Sequence, residues 1–416
     1  MSNQYIMDPI EKHLQKLTKE IKKLQKFYKN HKVEPENTNQ LDDNSDAIIC
    51  RPHFRLAGSL KKHDDNHITP FATVYYIPKQ IRTAYALDSL GSNGAGITIA
   101  IVVAYSYPNA QADLNVFCRQ FGIPTTTIIS KVMKNYLGQS APYDAGWSME
   151  ASMDIQWSHA MAPSAKIMLV QAYSARYDHL IVAVDYAINN GAHIVSMSWG
   201  GSEMSSQTTF NSHFNRPNVV CIASSGDVGS IVSTPSSSPY VLAVGGTSLY
   251  LNPDNTRKSE VAWSGSGGGV SKYELAPEYQ KTSSLGTSGN LRQVPDVCAV
   301  ADSNTGVPVY NKSNTGLGQW YIFGGTSLSA PLWAGFIANA NELRIKKGKA
   351  VLSTWQVQKA IYAVKTTEVN PTNTAIFYDV VIGNSGKFTT KPDYDLVTGI
   401  GAPNNDKLIS NLLVNV

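Results

Sequence analysis

A chain of 416 residues with 42% hydrophobic and 16% charged residues can bury a large core, which excludes disorder as a description of the whole. Its formal charge of +4 at pH 7 is small for this length, and Lys and Arg gather only near the N-terminus, so nothing points to nucleic acid. No apolar run is long enough for a transmembrane helix, and no apolar secretory core follows the first basic residues. The four cysteines, Cys50, Cys118, Cys221 and Cys298, lack CxxC spacing and are too sparse for a disulfide scaffold or a zinc site. Cys221 and Cys298 lie in apolar runs and read as buried thiols. Cys50 and Cys118 are open to pairing.

In chain order, residues 8–32 place Ile10, Leu14, Leu17, Ile21, Leu24 and Phe27 three and four apart, which predicts an amphipathic arm. It reads as a solvated or partner-facing helix before a membrane-surface one. Residues 33–48 are polar and turn-rich, a linker. Residues 1–74 are therefore read as an N-terminal helix and linker, a possible short pro-segment, and 75–416 as the main domain. From about Tyr75, strand-like runs at 97–103, 167–172, 193–198, 219–224 and 240–244 alternate with helix candidates at 148–161, 178–190 and 328–345. Continuous apolar strands separated by helices predict an α/β fold, a parallel sheet flanked by helices. Ligands of such sheets sit beyond the carboxyl ends of strands, where 198–201 and 224–227 fall. The Gly-rich stretch 264–269 lacks the Lys and the strand–helix context of a phosphate loop. It reads as extended backbone that a substrate chain can approach closely.

Three pieces carry chemistry. Ser327 follows Gly324-Gly325 and opens a helical run. Alone it reads as an N-cap; the other reading is a nucleophile at the positive helix end, beside N–H groups that can meet an oxyanion. Pro331 is sterically tolerated near the helix start and completes a rarer Gly-Thr-Ser-x-x-x-Pro pattern. A serine hydroxyl needs a base. Glu150 and Asp154, four apart in a predicted helix, share one face. An isolated ExxxD reads as a solvated face, but Trp147, Met149, Met153, Ile155, Trp157 and Met161 leave little polar surface. Carboxyls in apolar company have raised pKa values and can share a proton. Asp227, in Ser-Gly-Asp-Val-Gly, reads alone as a turn residue. Its other reading is a neutral carboxyl that donates to an oxyanion, which predicts activity at acidic pH.

With these motifs go Ile81-Arg82-x-Ala84-Tyr85, Pro108-Asn109-x-x-x-Asp113-Leu114, 159–167, Val195 to Gly200, 243–247, Gly267-Gly268-Gly269-x-Ser271 and Thr398-Gly-x-Gly401. Taken together, residues 76–412 resemble the sedolisin family, serine-carboxyl peptidases with a subtilisin-like fold. The resemblance implies Ser327 as nucleophile, Glu150 as general base and then acid, Asp154 as its partner, and Asp227 with the Ser327 N–H as oxyanion hole. It implies a substrate cleft lined by Trp199, Gly267, Gly268 and Gly269. It also implies one structural calcium ion, with carboxylates from Asp379 and Asp395 and backbone carbonyls from Val380, Lys391 and Asp393; glycine is usual in the family at the last two of these carbonyl positions. Oxygen-only ligands suit that ion, although the residue types alone read equally as surface loop acids. The partners implied are peptide or protein substrates, and the chain is read as a monomer. The family is usually secreted; the sequence does not assign a compartment.

The leading expectation is a serine endopeptidase working at acidic pH through an acyl-enzyme. A tripeptidyl-peptidase type of exopeptidase is a variant within the class. A Ser-His-Asp peptidase is disfavoured, because no His-Gly-Thr motif is present and His159 lies more than two turns beyond Glu150. A non-catalytic peptide-binding protein on the same fold is the other alternative.

Overall fold

In the computed structural model the described residues are 48–63, 67–69, 74–135, 137–287, 289–313, 316–370, 372, 375–404 and 406–416. The chain divides into two units, Met1–Asp46 and Ala47–Val416, and only the second contains described residues. The expected arm at 8–32 lies outside them. Strands Arg51–Pro52 and Arg55–His63 belong to the second unit, on the N-terminal side of the 74/75 boundary expected from the sequence.

An eight-stranded sheet organises this unit. Its order is Arg257–Ala262, Leu242–Leu251, Val220–Ser224, Ile194–Met197, Thr98–Ala104, Lys166–Ala172 and Ile129–Val132, with Val297–Val300 also paired to Leu242–Leu251. All pairings are parallel except that of Arg257–Ala262. The central strand Thr98–Ala104, TIAIVVA, is buried along its length. That is the pattern of a parallel strand covered on both faces. The five strand runs expected from the sequence each lie in this sheet, and the helices expected at 148–161, 178–190 and 328–345 are Ala145–Met161, Tyr177–Asn189 and Thr326–Lys346. A second sheet runs His67–Thr69, Arg55–His63, Gln319–Gly324, Thr305–Asn311, Val74–Tyr75. No helix among the described residues is long and apolar enough to cross a membrane. All four cysteines are buried and free, so Cys50 and Cys118 do not pair.

Two helices hold the site, and both are buried nearly all round rather than amphipathic. Ala145–Met161 starts where Asp144 Oδ1 accepts from Trp147 N at 2.9 Å. Asp144 is a good N-cap, since its oxygen satisfies an orphan first-turn donor. Thr326–Lys346 packs against it at Gly335, where an added Cβ would lie 2.2 Å from the Met161 Cβ. In an open helix Gly→Ala gains about 1 kcal/mol. Here overpacking opposes that gain, so Gly335→Ala is expected to destabilise by about 1–3 kcal/mol, read as a lower urea midpoint at unchanged slope.

Candidate active site

Glu150 and Asp154 project from helix Ala145–Met161, and both side chains are fully buried. No well-formed hydrogen bond reaches either carboxyl oxygen of Glu150 among the described residues. Burial raises the pKa of Glu150 well above the usual range, the charge of Asp154 raises it further, and the nearby Ser327 hydroxyl opposes the rise. Burial also raises Asp154, against the hydrogen bond from Ser198. An isolated carboxylate is costly in such a place, so the pair favours holding one shared proton, which leaves one carboxylate to act as a base.

Ser327 is the second residue of its helix, whose N-cap is Gly325 at φ +97°. Its Oγ donates to the Ser198 carbonyl at 3.1 Å, and its backbone N–H donates to the His53 carbonyl at 2.9 Å. Pro331 stands at the sixth helical position, beyond the first turn where proline was expected to be harmless. It removes the N–H that would close on the Ser327 carbonyl. The Ser198 hydroxyl supplies the missing donor at 3.2 Å. The same hydroxyl lies 2.7 Å from Asp154 Oδ1. One hydroxyl has one proton, so both contacts are hydrogen bonds together when Asp154 is protonated and donates to Ser198 Oγ. The Gly-Thr-Ser-x-x-x-Pro motif thus links the nucleophile's backbone to the carboxyl pair through Ser198.

Asp227, 8% exposed, reaches the N-terminus of the same helix. Its Oδ1 accepts from Thr326 N at 2.8 Å and Thr326 Oγ1 at 2.9 Å. Arg55 lies beside it, with Nε 3.6 Å from Oδ2 and Nη2 donating to the Asp227 carbonyl at 2.9 Å. Two donors, a guanidinium and a helix N-terminus thus surround this carboxyl. An added Cβ on Gly325 would lie 2.3 Å from the His53 oxygen and 2.8 Å from Asp227 Oδ2, so both flank one point beside the Ser327 N–H.

The structure therefore gathers Glu150, Asp154, Asp227 and Ser327 in one place. The expected cleft residues also make close contacts within the protein itself. The Trp199 ring is fully buried and donates from Nε1 to the Val102 carbonyl at 2.8 Å; only its backbone faces the cleft, opposite Pro52. Gly267 and Gly268 are tight against the protein's own chain, since added Cβ atoms would lie 2.5 Å from the Ser225 oxygen and 2.1 Å from the Leu396 oxygen. Gly269, at φ +144°, opens strand Gly269–Leu275. Their lack of side chains serves internal packing.

The sequence reading missed Ser198, Thr326, His53 and Arg55. Ser198 had a usable signal, at the carboxyl end of a buried parallel strand. His53 and Arg55 had none, because they fall in the stretch read as linker.

At the expected calcium site Asp379 and Asp395 are 4% and 1% exposed. Asp379 Oδ2 accepts from Asp393 N at 3.0 Å, and Asp395 accepts from the N–H groups of Val397 and Thr398 at 2.7 and 2.8 Å. Burial, with repulsion from Asp395 and Asp393, raises Asp379 to about 7; burial raises Asp395 to about 6. Asp393 takes φ +68°, the left-handed conformation that favours glycine. No group of three or more His, Cys, Asp or Glu residues suited to a metal is found among the described residues. Two buried, mutually repelling carboxyls fit a hard cation, with the remaining ligands drawn from the main chain.

Residues 91–381 match the subtilase family, Peptidase_S8. The chain is 29% identical to kumamolisin of Bacillus sp. (strain MN-32) over 402 residues, covering 88% of this chain and 68% of that protein. It is 31% identical to sedolisin of Pseudomonas sp. (strain 101) over 198 residues, and 26% identical to tripeptidyl-peptidase 1 of Dictyostelium discoideum over 380 residues. Those alignments cover 44% and 82% of this chain, and 31% and 59% of the two relatives. In fold it resembles Pseudomonas sedolisin, a serine-carboxyl proteinase complexed with two molecules of pseudo-iodotyrostatin, at TM-score 0.69 and 23% identity, covering 82% of this chain and 99% of that one. The chain belongs to the subtilase family and, within it, to the sedolisins, the serine-carboxyl peptidases.

Proposed function

We propose that the protein is an endopeptidase that hydrolyses peptide or protein substrates at acidic pH, through an acyl-enzyme on Ser327. The observation that carries the reading is a peptide carbonyl, that of His53, held by the Ser327 N–H next to Asp227, with Glu150 and Asp154 buried close behind. Glu150 takes the Ser327 proton as Oγ attacks and returns it to the leaving amine. Asp154 shares the negative charge of the pair and fixes Ser198. The oxyanion meets the Ser327 N–H and Asp227. Asp227 donates only as the acid, so low pH is needed for full catalytic power.

The cleft supports endo- over exo-cleavage. The segment before His53 continues past the third residue: Cys50 N donates to the Ala175 carbonyl at 2.8 Å, and Tyr177 N to the Ile48 carbonyl at 2.9 Å. A tripeptidyl-peptidase needs that end closed. Quenched peptides with acetylated and free N-termini, assayed across acid to mildly alkaline pH, test the reading. Equal cleavage of both with an acid optimum supports it. Release of tripeptides from free N-termini alone makes the protein an exopeptidase. Inertness at every pH in a folded sample favours a peptide-binding protein.

We also propose one calcium ion held by Asp379 and Asp395 with the carbonyls of Val380, Lys391 and Asp393, which would tie two loops together. Calcium at 100 times its Kd is expected to add about 2.7 kcal/mol. The checks are a calcium-dependent melting temperature and its loss in Asp395→Asn.

A further inference from the structure

We propose that Pro331 decides which of the two buried carboxyls keeps the proton they share. By leaving the Ser327 carbonyl without its helical donor, it draws the Ser198 hydroxyl proton to that carbonyl, and so makes Asp154 the acid and Glu150 the base. This rests on the peptidase reading above and adds the residue that assigns the two roles.

Glu150 and Asp154 lie one turn apart on the same helix, and both are fully buried. Burial acts on the two alike. What distinguishes them is Ser198, itself fully buried. Its Oγ lies 2.7 Å from Asp154 Oδ1 and 3.2 Å from the Ser327 carbonyl oxygen. The residue is fixed on both sides. Its own carbonyl accepts from Ser327 Oγ at 3.1 Å and from His53 N at 3.3 Å, and the ring of Trp199 next to it donates to the Val102 carbonyl at 2.8 Å. Ser198 therefore stands between two acceptors with one proton to give.

The Ser327 carbonyl competes for that proton because of Pro331. Any other residue at 331 would present an N–H to the carbonyl one turn back; proline presents none. It does so inside helix Thr326–Lys346, fully buried, where no other solvent-like donor is at hand. A buried carbonyl without a donor is costly. With the shared proton on Asp154, one chain of donors satisfies every group. Asp154 O–H donates to Ser198 Oγ, and Ser198 O–H donates to the Ser327 carbonyl, each bond polarising the next. With the proton on Glu150, the Ser198 hydroxyl serves the Asp154 carboxylate or the Ser327 carbonyl, never both. Asp154 Oδ2 has no well-formed hydrogen bond among the described residues to offset the loss.

The first arrangement leaves Glu150 as the carboxylate, beside the Ser327 hydroxyl that favours its charged form. Glu150 then begins each half-reaction able to accept a proton. It takes that of Ser327 and passes it to the leaving amine; it then takes one from the attacking water and returns it to Ser327 Oγ. The proton on Asp154 stays in place throughout. Pro331 acts through Ser198 and is a positioning residue.

The test is Pro331→Ala, which restores an N–H facing the Ser327 carbonyl. The Ser198 proton is then free to go to Asp154, a bond that favours the Asp154 carboxylate. The pair keeps its proton, but on Glu150. Infrared difference spectra report this without any need for activity, using protein isotopically labelled at the side-chain carboxyl carbon of either aspartate or glutamate. In wild type, the protonated-carboxyl stretch that disappears in Asp154→Asn is expected to move with the aspartate label. In Pro331→Ala it should give way to a stretch that moves with the glutamate label. On a quenched peptide, kcat should fall about tenfold or more with KM held within about twofold, the size expected of one hydrogen bond to a charged group. In a Ser198→Ala background, Pro331→Ala should change kcat by less than about twofold, because no hydroxyl remains to carry the effect. A wild-type stretch that follows the glutamate label overturns the inference, and that arm decides even where Pro331→Ala fails to fold. An equal loss of kcat with and without the Ser198 hydroxyl overturns it too, and shows that the proline only shapes the helix. Hydrolysis by a wild type with the proton on Glu150 leaves the peptidase reading standing. A folded wild type that cleaves nothing at any pH overturns that reading, while the labels still decide where the proton sits.

Discussion

Replacing Ser327 by alanine is expected to lower peptide hydrolysis on the order of 10⁴-fold or more at every pH, with little change in the fold. The side chain is fully buried, and the well-formed hydrogen bond that its hydroxyl makes among the described residues, to the Ser198 carbonyl at 3.1 Å, is to a backbone group that His53 N also reaches. Losing a bond of that kind costs about 1 kcal/mol, small beside the stability of a domain this size. The activity loss is large because every other group named here acts on the Ser327 oxygen or on the carbonyl it attacks. With the nucleophile gone, the base has no proton to accept. The measurement is kcat/KM on a quenched peptide beside a urea melt of the same sample. Activity retained within tenfold would remove Ser327 from the mechanism. Lost activity with a collapsed melt would show the residue to be structural.

The sheet and its helices were legible because their signals are local. A strand buried on both faces must be apolar throughout, as 98–104 is, and a helix that leaves its carboxyls among Trp and Met announces buried charge. The carboxyl pair, the nucleophile and Asp227 were legible for the same reason, each inside a short motif. What stayed hidden depends on partners far along the chain. The helix of Ser327 starts at Thr326, earlier than expected, because Asp227, 99 residues away, accepts from Thr326 N where Gly325 has no side chain to do so. Ser198 acquires its role only when Pro331 leaves the Ser327 carbonyl without its helical donor. The glycines at 267 and 268 suggested a substrate nearby; that the protein's own carbonyls of Ser225 and Leu396 crowd their Cβ positions could not be read from the sequence. His53 and Arg55 sit just past the polar 33–48 linker, in a stretch with no motif that sets it apart from the N-terminal region. Their meaning comes from the strand pairing that draws 51–52 onto 199–200 and 55–63 onto 319–324.

Glu150→Gln is expected to have opposite effects on activity and on stability, and that opposition separates a catalytic carboxyl from a structural one. The amide has nearly the same shape but cannot take the Ser327 proton, so kcat should fall by about 10²–10⁴-fold. Stability should move the other way, in a pH-dependent manner. Burial first, and Asp154 second, raise the pKa of Glu150 in the folded chain above its unfolded value. The folded state therefore binds more protons than the unfolded state between those two values. The stability contributed by the protonated form is fully present below the unfolded value, near 4.3. It is lost as pH rises toward the folded value, at about 1.4 kcal/mol per pH unit for one proton. Glutamine does not titrate and loses nothing. The variant should thus melt with the wild type in acid and above it near neutrality, the gap widening with pH. Melting curves of the two proteins from acid to neutral pH, both carrying Ser327→Ala so that peptidase activity in the sample does not intervene, provide the check. If Glu150 instead served as a structural ion-pair partner, the gap would have the reverse sign, with the variant melting below the wild type near neutrality.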